Sequence, residues 1–75
     1  MSTKTMPITT EFITLDAFLK WAGVAETGGH AKVLIASGQI RVNGEQELRR
    51  GRKLRPGDSV DLPGAGSWVI TREEA

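Results

Sequence analysis

The chain contains no cysteine and a single histidine, His30. Without thiols there is neither a disulfide framework nor a thiolate metal site. One imidazole cannot build a multi-histidine centre. No stretch approaches the roughly 20 apolar residues that a membrane helix needs. The opening "MSTKTMP" has no apolar signal core, so a soluble, cytoplasmic protein with no membrane contact is expected. The acidic candidates for chemistry, Asp16, Glu26, Asp58 and Asp61, are scattered along the chain. They show no local signature of a serine–histidine–acid arrangement. The Gly-Lys-Ser/Thr ending of a phosphate-binding loop is absent. The ending "TREEA" lacks the Gly-Gly that a sulfur- or ubiquitin-like carrier needs. No catalytic residue, metal or cofactor is therefore expected.

What is present is one small domain's worth of chain, 75 residues with a formal charge of +1. A domain of this size buries only about 60% of the surface its unfolded chain exposes, so its stability is modest. The net charge is uninformative, but its distribution is not. Residues 41–55 hold six basic residues (Arg41, Arg49, Arg50, Arg52, Lys53, Arg55) and two acidic ones (Glu45, Glu47). The run "LRRGRKLR" places five of those cations in eight positions. Segregated charge makes a patch.

Periodicity divides the chain into an α part and a β part. Residues 1–10, polar and rich in threonine, read as a flexible lead-in. "EFIT" (11–14) reads as a short strand. In "TLDAFLKWAG", Leu15, Phe18, Leu19 and Ala22 make one buried helical stripe. Thr14 is placed to cap this helix, Asp16 suits its dipole, and Gly23 is its stop. "ETGGHAKVLIASG" predicts a second helix capped by Thr27 and ended by Gly38, with Ala31, Leu34 and Ile35 inward and Lys32 exposed. The period then changes to two. Ile40 and Val42 point one way, Gln39 and Arg41 the other. Asn43-Gly44 predicts a tight hairpin with "EQEL" returning as its partner strand. The basic run follows, with Leu48 and Leu54 expected inward and Gly51 allowing a bend. "RPGDSVDL" supplies a Pro56-Gly57 turn and a strand carrying Val60 and Leu62. "PGAG" turns again into a last strand, "SWVIT". The expected fold is α+β: two N-terminal helices packed on a small, mostly antiparallel sheet. A single domain over 11–71 and a tail over 72–75 complete it.

The basic run admits three readings: solvated surface, a nuclear address, or contact with phosphates, whose oxygens match the planar guanidinium fork. At the start of the second helix, "TGGH" leaves backbone amides open to an anion; an ordinary loop before the helix is the plainer alternative. Trp21 and Trp68 could stack bases, or fill a core that has few other large side chains.

The stretches "LDAFLKWAG", "AKVLIASGQIRVNG" and "LRPGDSV" resemble the RNA-binding domain named for small-subunit ribosomal protein S4. The family's pattern of Leu-Asp-x-x-Leu is matched by Leu15, Asp16 and Leu19. Its second block is matched by Ala31, Leu34, Ile35, Gly38, Ile40, Val42, Asn43 and Gly44, and its third by Gly57, Asp58 and Val60. The likeness spans about residues 12–62, and the small stand-alone bacterial members are the most similar. It implies the alpha-L motif and binding to structured RNA, ribosomal RNA or tRNA, with the ribosome as a further candidate partner. The family often has Ser-Arg at the start of the second helix, where the arginine touches RNA. Thr27-Gly28 here keeps the hydroxyl and loses the cation, which shifts weight onto the basic run.

These readings combine into a monomeric, non-catalytic RNA-binding module. Its expected surface joins Thr27, Gly28, Gly29 and Lys32 to Arg41, Arg49, Arg50, Arg52 and Lys53. Arg55 is left out because it precedes Pro56 and could fall on the far side of that turn. The alternative is an accessory module that contacts protein or DNA.

Overall fold

The computed structural model describes residues 3–73. The element order is β1 (Lys4–Ile8), β2 (Ile13–Thr14), α1 (Leu15–Trp21), α2 (Gly28–Ala36), β3 (Arg41–Val42), β4 (Glu45–Gln46), β5 (Lys53–Leu54), β6 (Ser59–Leu62) and β7 (Gly66–Arg72). Five strands form one sheet in the order β1-β7-β6-β3-β4. Every pairing in it is antiparallel except β1 with β7. A separate antiparallel pair joins β2 to β5. The class is α+β with a mostly antiparallel sheet, but the helices do not open the chain. Two strands precede them.

The lead-in is the main correction. Lys4–Ile8 is an edge strand that buries Met6 and Ile8 and turns Thr5 and Pro7 outward. Pro7 is tolerated because an edge strand has a side on which no N–H is needed. The far end of β1 is held as well, since the Glu73 N–H donates to the Ile8 carbonyl at 2.8 Å. Arg72, read as the start of a tail, pairs with Ile8 in the ladder. Residues 74 and 75 lie outside the described residues.

The helices follow their predicted stripes. Leu15, Phe18 and Leu19 of α1 and Ala31 and Ile35 of α2 are buried, and Leu34 packs half-buried against them. They meet Val42, Leu54, Val60, Leu62 and Ile70 of the strands, and Ile40 just before β3. Phe18 and Trp68 pack edge to face, with centroids 5.8 Å apart, a favoured aromatic geometry. Trp21, in contrast, is not core at all: it is 76% exposed on α1. Thr27 caps α2 as expected, its hydroxyl accepting from the His30 N–H at 3.1 Å. Thr14 occupies the cap position of α1, but its side chain accepts from no helix amide.

Turn chemistry positions the basic segment. Asn43 and Gly44 both have positive φ, 53° and 83°, as the predicted hairpin turn requires. The Asn43 side chain ties this turn to the next one. It donates to Asp58 Oδ1 at 3.1 Å and accepts from the Ser59 N–H at 3.0 Å. Asp58 in turn closes the Pro56-Gly57 turn, accepting from the Arg55 N–H at 2.8 Å.

Candidate nucleic-acid interface

Between the two turns, residues 47–55 run along the N-terminal end of α1. The Leu15 N–H donates to the Arg52 carbonyl at 2.8 Å, and the Asp16 N–H to the Arg50 carbonyl at 3.1 Å. These carbonyls satisfy helix amides that would otherwise lack partners, the role expected of Thr14. The Thr14 hydroxyl instead acts chiefly on the Asp16 carboxyl. Together with the Ala17 amide and the Arg50 charge, it holds that carboxyl below its usual range. Pairing of β5 with β2 fixes the other end of the segment. The backbone of the basic run is thus part of the fold, and a tight turn from Arg49 to Arg52 leaves Arg50 exposed at its tip.

The inward position in this stretch belongs to Glu47, not Leu48. Glu47 is 7% exposed and Leu48 57%. An acidic side chain is tolerated there because its oxygens are fully engaged. Oε2 accepts from the Arg49 N–H at 3.0 Å and from Arg49 Nε at 3.1 Å. Oε1 accepts from Arg49 Nη2 at 3.3 Å and Arg52 Nη1 at 3.1 Å. The Arg49 hydrogen bond is the largest cause holding the Glu47 carboxyl at about 2, against an ordinary 4.5, and burial opposes it. Glu47 reciprocally raises the pKa of Arg49.

An open depression lies outside this network, lined by Arg49, Arg52, Lys53 and Arg55 together with Asp58. Both Asp58 oxygens are occupied by the turn bonds, and both Glu47 oxygens by Arg49 and Arg52. Glu47 therefore orients two of the cations, Arg49 and Arg52, while Asp58 braces the turn beside them. Over 47–58, five basic residues (Arg49, Arg50, Arg52, Lys53, Arg55) face two acidic ones (Glu47, Asp58), an excess of three.

The predicted site residues divide. Arg49, Arg52 and Lys53 come together in the depression, and Arg50 stands next to them in the chain. Arg55, left out of the expected surface, lines the depression as well. Arg41 is exposed on β3 in register with Asp61 of β6 and does not line it. Thr27, Gly28, Gly29 and Lys32 are exposed at the start of α2 and do not line it either. Neither glycine is crowded: an added Cβ meets nothing within 4 Å at Gly28, and only the Thr27 hydroxyl oxygen at 3.8 Å at Gly29.

Two contributors were missed in the sequence. Glu47 enters the sequence reading only as a charge, and no local pattern marks it as the inward residue. Phe12 was not singled out. Its ring lies under Lys53 Nζ at 5.0 Å and Arg55 Cζ at 6.0 Å, an arrangement attractive through the ring quadrupole. The signal lies in "EFIT", where strand alternation puts Phe12 and Ile13 on opposite faces.

Two short helices on a small sheet, with a clamped cationic segment along one helix end, define an alpha-L type of α+β module. The family model described as the S4 domain matches residues 6–70, and the chain belongs to that family. It is 48% identical over 63 residues to "Probable ribosome maturation protein RlbA" of Bacillus subtilis (strain 168), covering 84% of this chain and 89% of that protein. It is 36% identical over 58 residues to "Putative RNA-binding protein YbcJ" of Escherichia coli (strain K12), covering 77% and 83%. Among the described residues, no helix is long and apolar enough to cross a membrane, and no three His, Cys, Asp or Glu side chains cluster as a metal site.

Proposed function

We propose that this protein is a non-catalytic, monomeric, cytoplasmic module that binds structured RNA, ribosomal RNA or tRNA, through the cationic segment 49–55. The observation that carries this reading is the depression lined by Arg49, Arg52, Lys53 and Arg55 on a backbone held by α1 and β2. Preplaced guanidinium groups match phosphate oxygens, and each neutralised phosphate releases counterions. The recognition is therefore of backbone and shape more than of base sequence. The names of the relatives, a ribosome maturation protein and an RNA-binding protein, support the same direction and make a ribosomal target the first to try.

The test is salt titration of binding to a structured ribosomal RNA fragment, followed by anisotropy. Arg49 is a poor residue to reverse, because a second carboxylate beside Glu47 would disturb the fold. Arg50 and Lys53 make no ion pair among the described residues. Arg50→Glu with Lys53→Glu should weaken binding at least tenfold and flatten the salt slope by about two, with an unchanged circular dichroism spectrum. Unchanged affinity would remove the segment from the interface.

A further inference from the structure

Phe12 also belongs to a second groove, of about 410 Å³, between the β1–β2 connection and α1. Ile13, Ala17 and Trp21 share its walls, and Thr10 and Glu73 add polar groups. Among the described residues, no lysine or arginine lines it. The chain has only four aromatic side chains, and two of them are in this groove. Trp21 is 76% exposed and Phe12 37%. For so small a domain, that is a large fraction of its aromatic surface left in water.

We propose that this groove takes an unpaired nucleobase, so that the RNA bound is a helix carrying a bulged or extruded nucleotide beside the phosphates held by the basic segment. This inference rests on the RNA-binding reading above. Its support is the continuity of the two surfaces and their opposite chemistry. Phe12 is the shared residue: it walls the apolar groove and carries Lys53 and Arg55 over its ring. A phosphate held by those two cations lies within one nucleotide of the ring. The cations stop at Phe12, and beyond it the groove offers aromatic faces and one carboxylate, Glu73. That carboxylate repels phosphate, whereas it can accept from the N–H edge of a base. An uncharged, flat group attached to a phosphate fits both halves, and a base that remains paired inside a helix cannot reach the groove. Stacking on aromatic side chains is how proteins read splayed bases.

The experiment uses the full chain with two RNA hairpins that share one stem, fully paired in the first and carrying a single-adenosine bulge in the second. At low salt the bulged hairpin should bind about tenfold tighter, the scale of one base–aromatic stack, and should quench tryptophan emission. Trp21→Ala, at a position too exposed to endanger the fold, should abolish the preference and the quenching while keeping the affinity for the paired hairpin. Phe12→Leu, which preserves apolar bulk, should reduce the preference. If the paired hairpin binds with no preference for the bulge, the inference fails, the RNA-binding reading survives, and the groove is left to a protein side chain. A preference that persists in Trp21→Ala also overturns it. Failure of both hairpins to bind overturns the RNA-binding reading itself.

Discussion

Replacing Glu47 with glutamine removes a buried charge while keeping its shape. In the folded protein the carboxyl sits at about 2, against 4.5 ordinarily. At ~1.4 kcal/mol per pH unit, this gap sets a ceiling of about 3–4 kcal/mol on what the ionised group contributes. The true figure is smaller, because the Arg49 side chain is 74% exposed and water screens the pair. Discounting for that leaves about 1–2 kcal/mol. A domain of this length has roughly 4–11 kcal/mol of stability in total, so the loss is easily measured. The folded pKa is depressed, so the contribution is complete above about pH 4.5 and disappears as pH falls toward 2. Urea denaturation of both proteins, followed by Trp68 fluorescence, should show a gap of about 1–2 kcal/mol at neutral pH that closes progressively between pH 4.5 and 2. A gap that stays constant across that range would mean that glutamine merely packs less well. No gap at neutral pH would mean that the bonds to Arg49 and Arg52 add nothing net. Either result refutes the argument.

Gly38→Ala should lower the melting temperature, by an amount equivalent to about 1–2 kcal/mol. Gly38 has a φ of +80°, and an added Cβ would stand 2.6 Å from Gln46 Nε2, which donates to the Gly38 carbonyl; an unchanged melting curve would contradict this. Ile8→Ala should cost about 2–5 kcal/mol in denaturation, towards the lower end for an edge strand, because Ile8 is only 6% exposed. A cost below about 0.5 kcal/mol would fit a loose lead-in rather than a paired strand.

Features encoded by neighbours in the chain are legible in the sequence. The helical stripes, the stops at Gly23 and Gly38 with φ of 78° and 80°, the Asn43-Gly44 hairpin and the Pro56-Gly57 turn all follow from local pattern and residue type. Features that depend on distant partners are not. The pairing of Lys4 with Trp68, and of Ile8 with Arg72, joins opposite ends of the chain, and no local period announces it. Size and apolarity make Trp21 a core candidate in the sequence, yet the α1 stripe through Leu15, Phe18 and Leu19 leaves it on the other side. Hydrophobicity alone points Leu48 inward, yet it is exposed. A satisfied carboxylate at Glu47 took that position instead, through bonds to Arg49 and Arg52 that sequence spacing does not reveal. At the candidate site, the clustering of charge was visible as composition. The division between cations that meet in one depression and those at α2 or on β3 required the fold.

Five like charges in eight residues repel one another, and a flexible loop would relieve that repulsion by spreading. Here it cannot spread. The carbonyls of Arg50 and Arg52 are committed to α1, Lys53 and Leu54 to β2, and the Arg55 amide to Asp58. Because the backbone does the holding, the side chains are left to face solvent, where salt screens their repulsion. Among the described residues, only Arg49 and Arg52 of this segment are also held by ion pairs, both to Glu47, whereas Lys53 and Arg55 rest over the Phe12 ring. The segment therefore contains two kinds of cation. Substituting Arg50, Lys53 or Arg55 changes surface charge with little effect on the fold, whereas substituting Arg49 or Arg52 strips a buried carboxylate of its partners and confounds binding with stability. Separating the two kinds is what allows the electrostatic argument to be tested apart from the structural one.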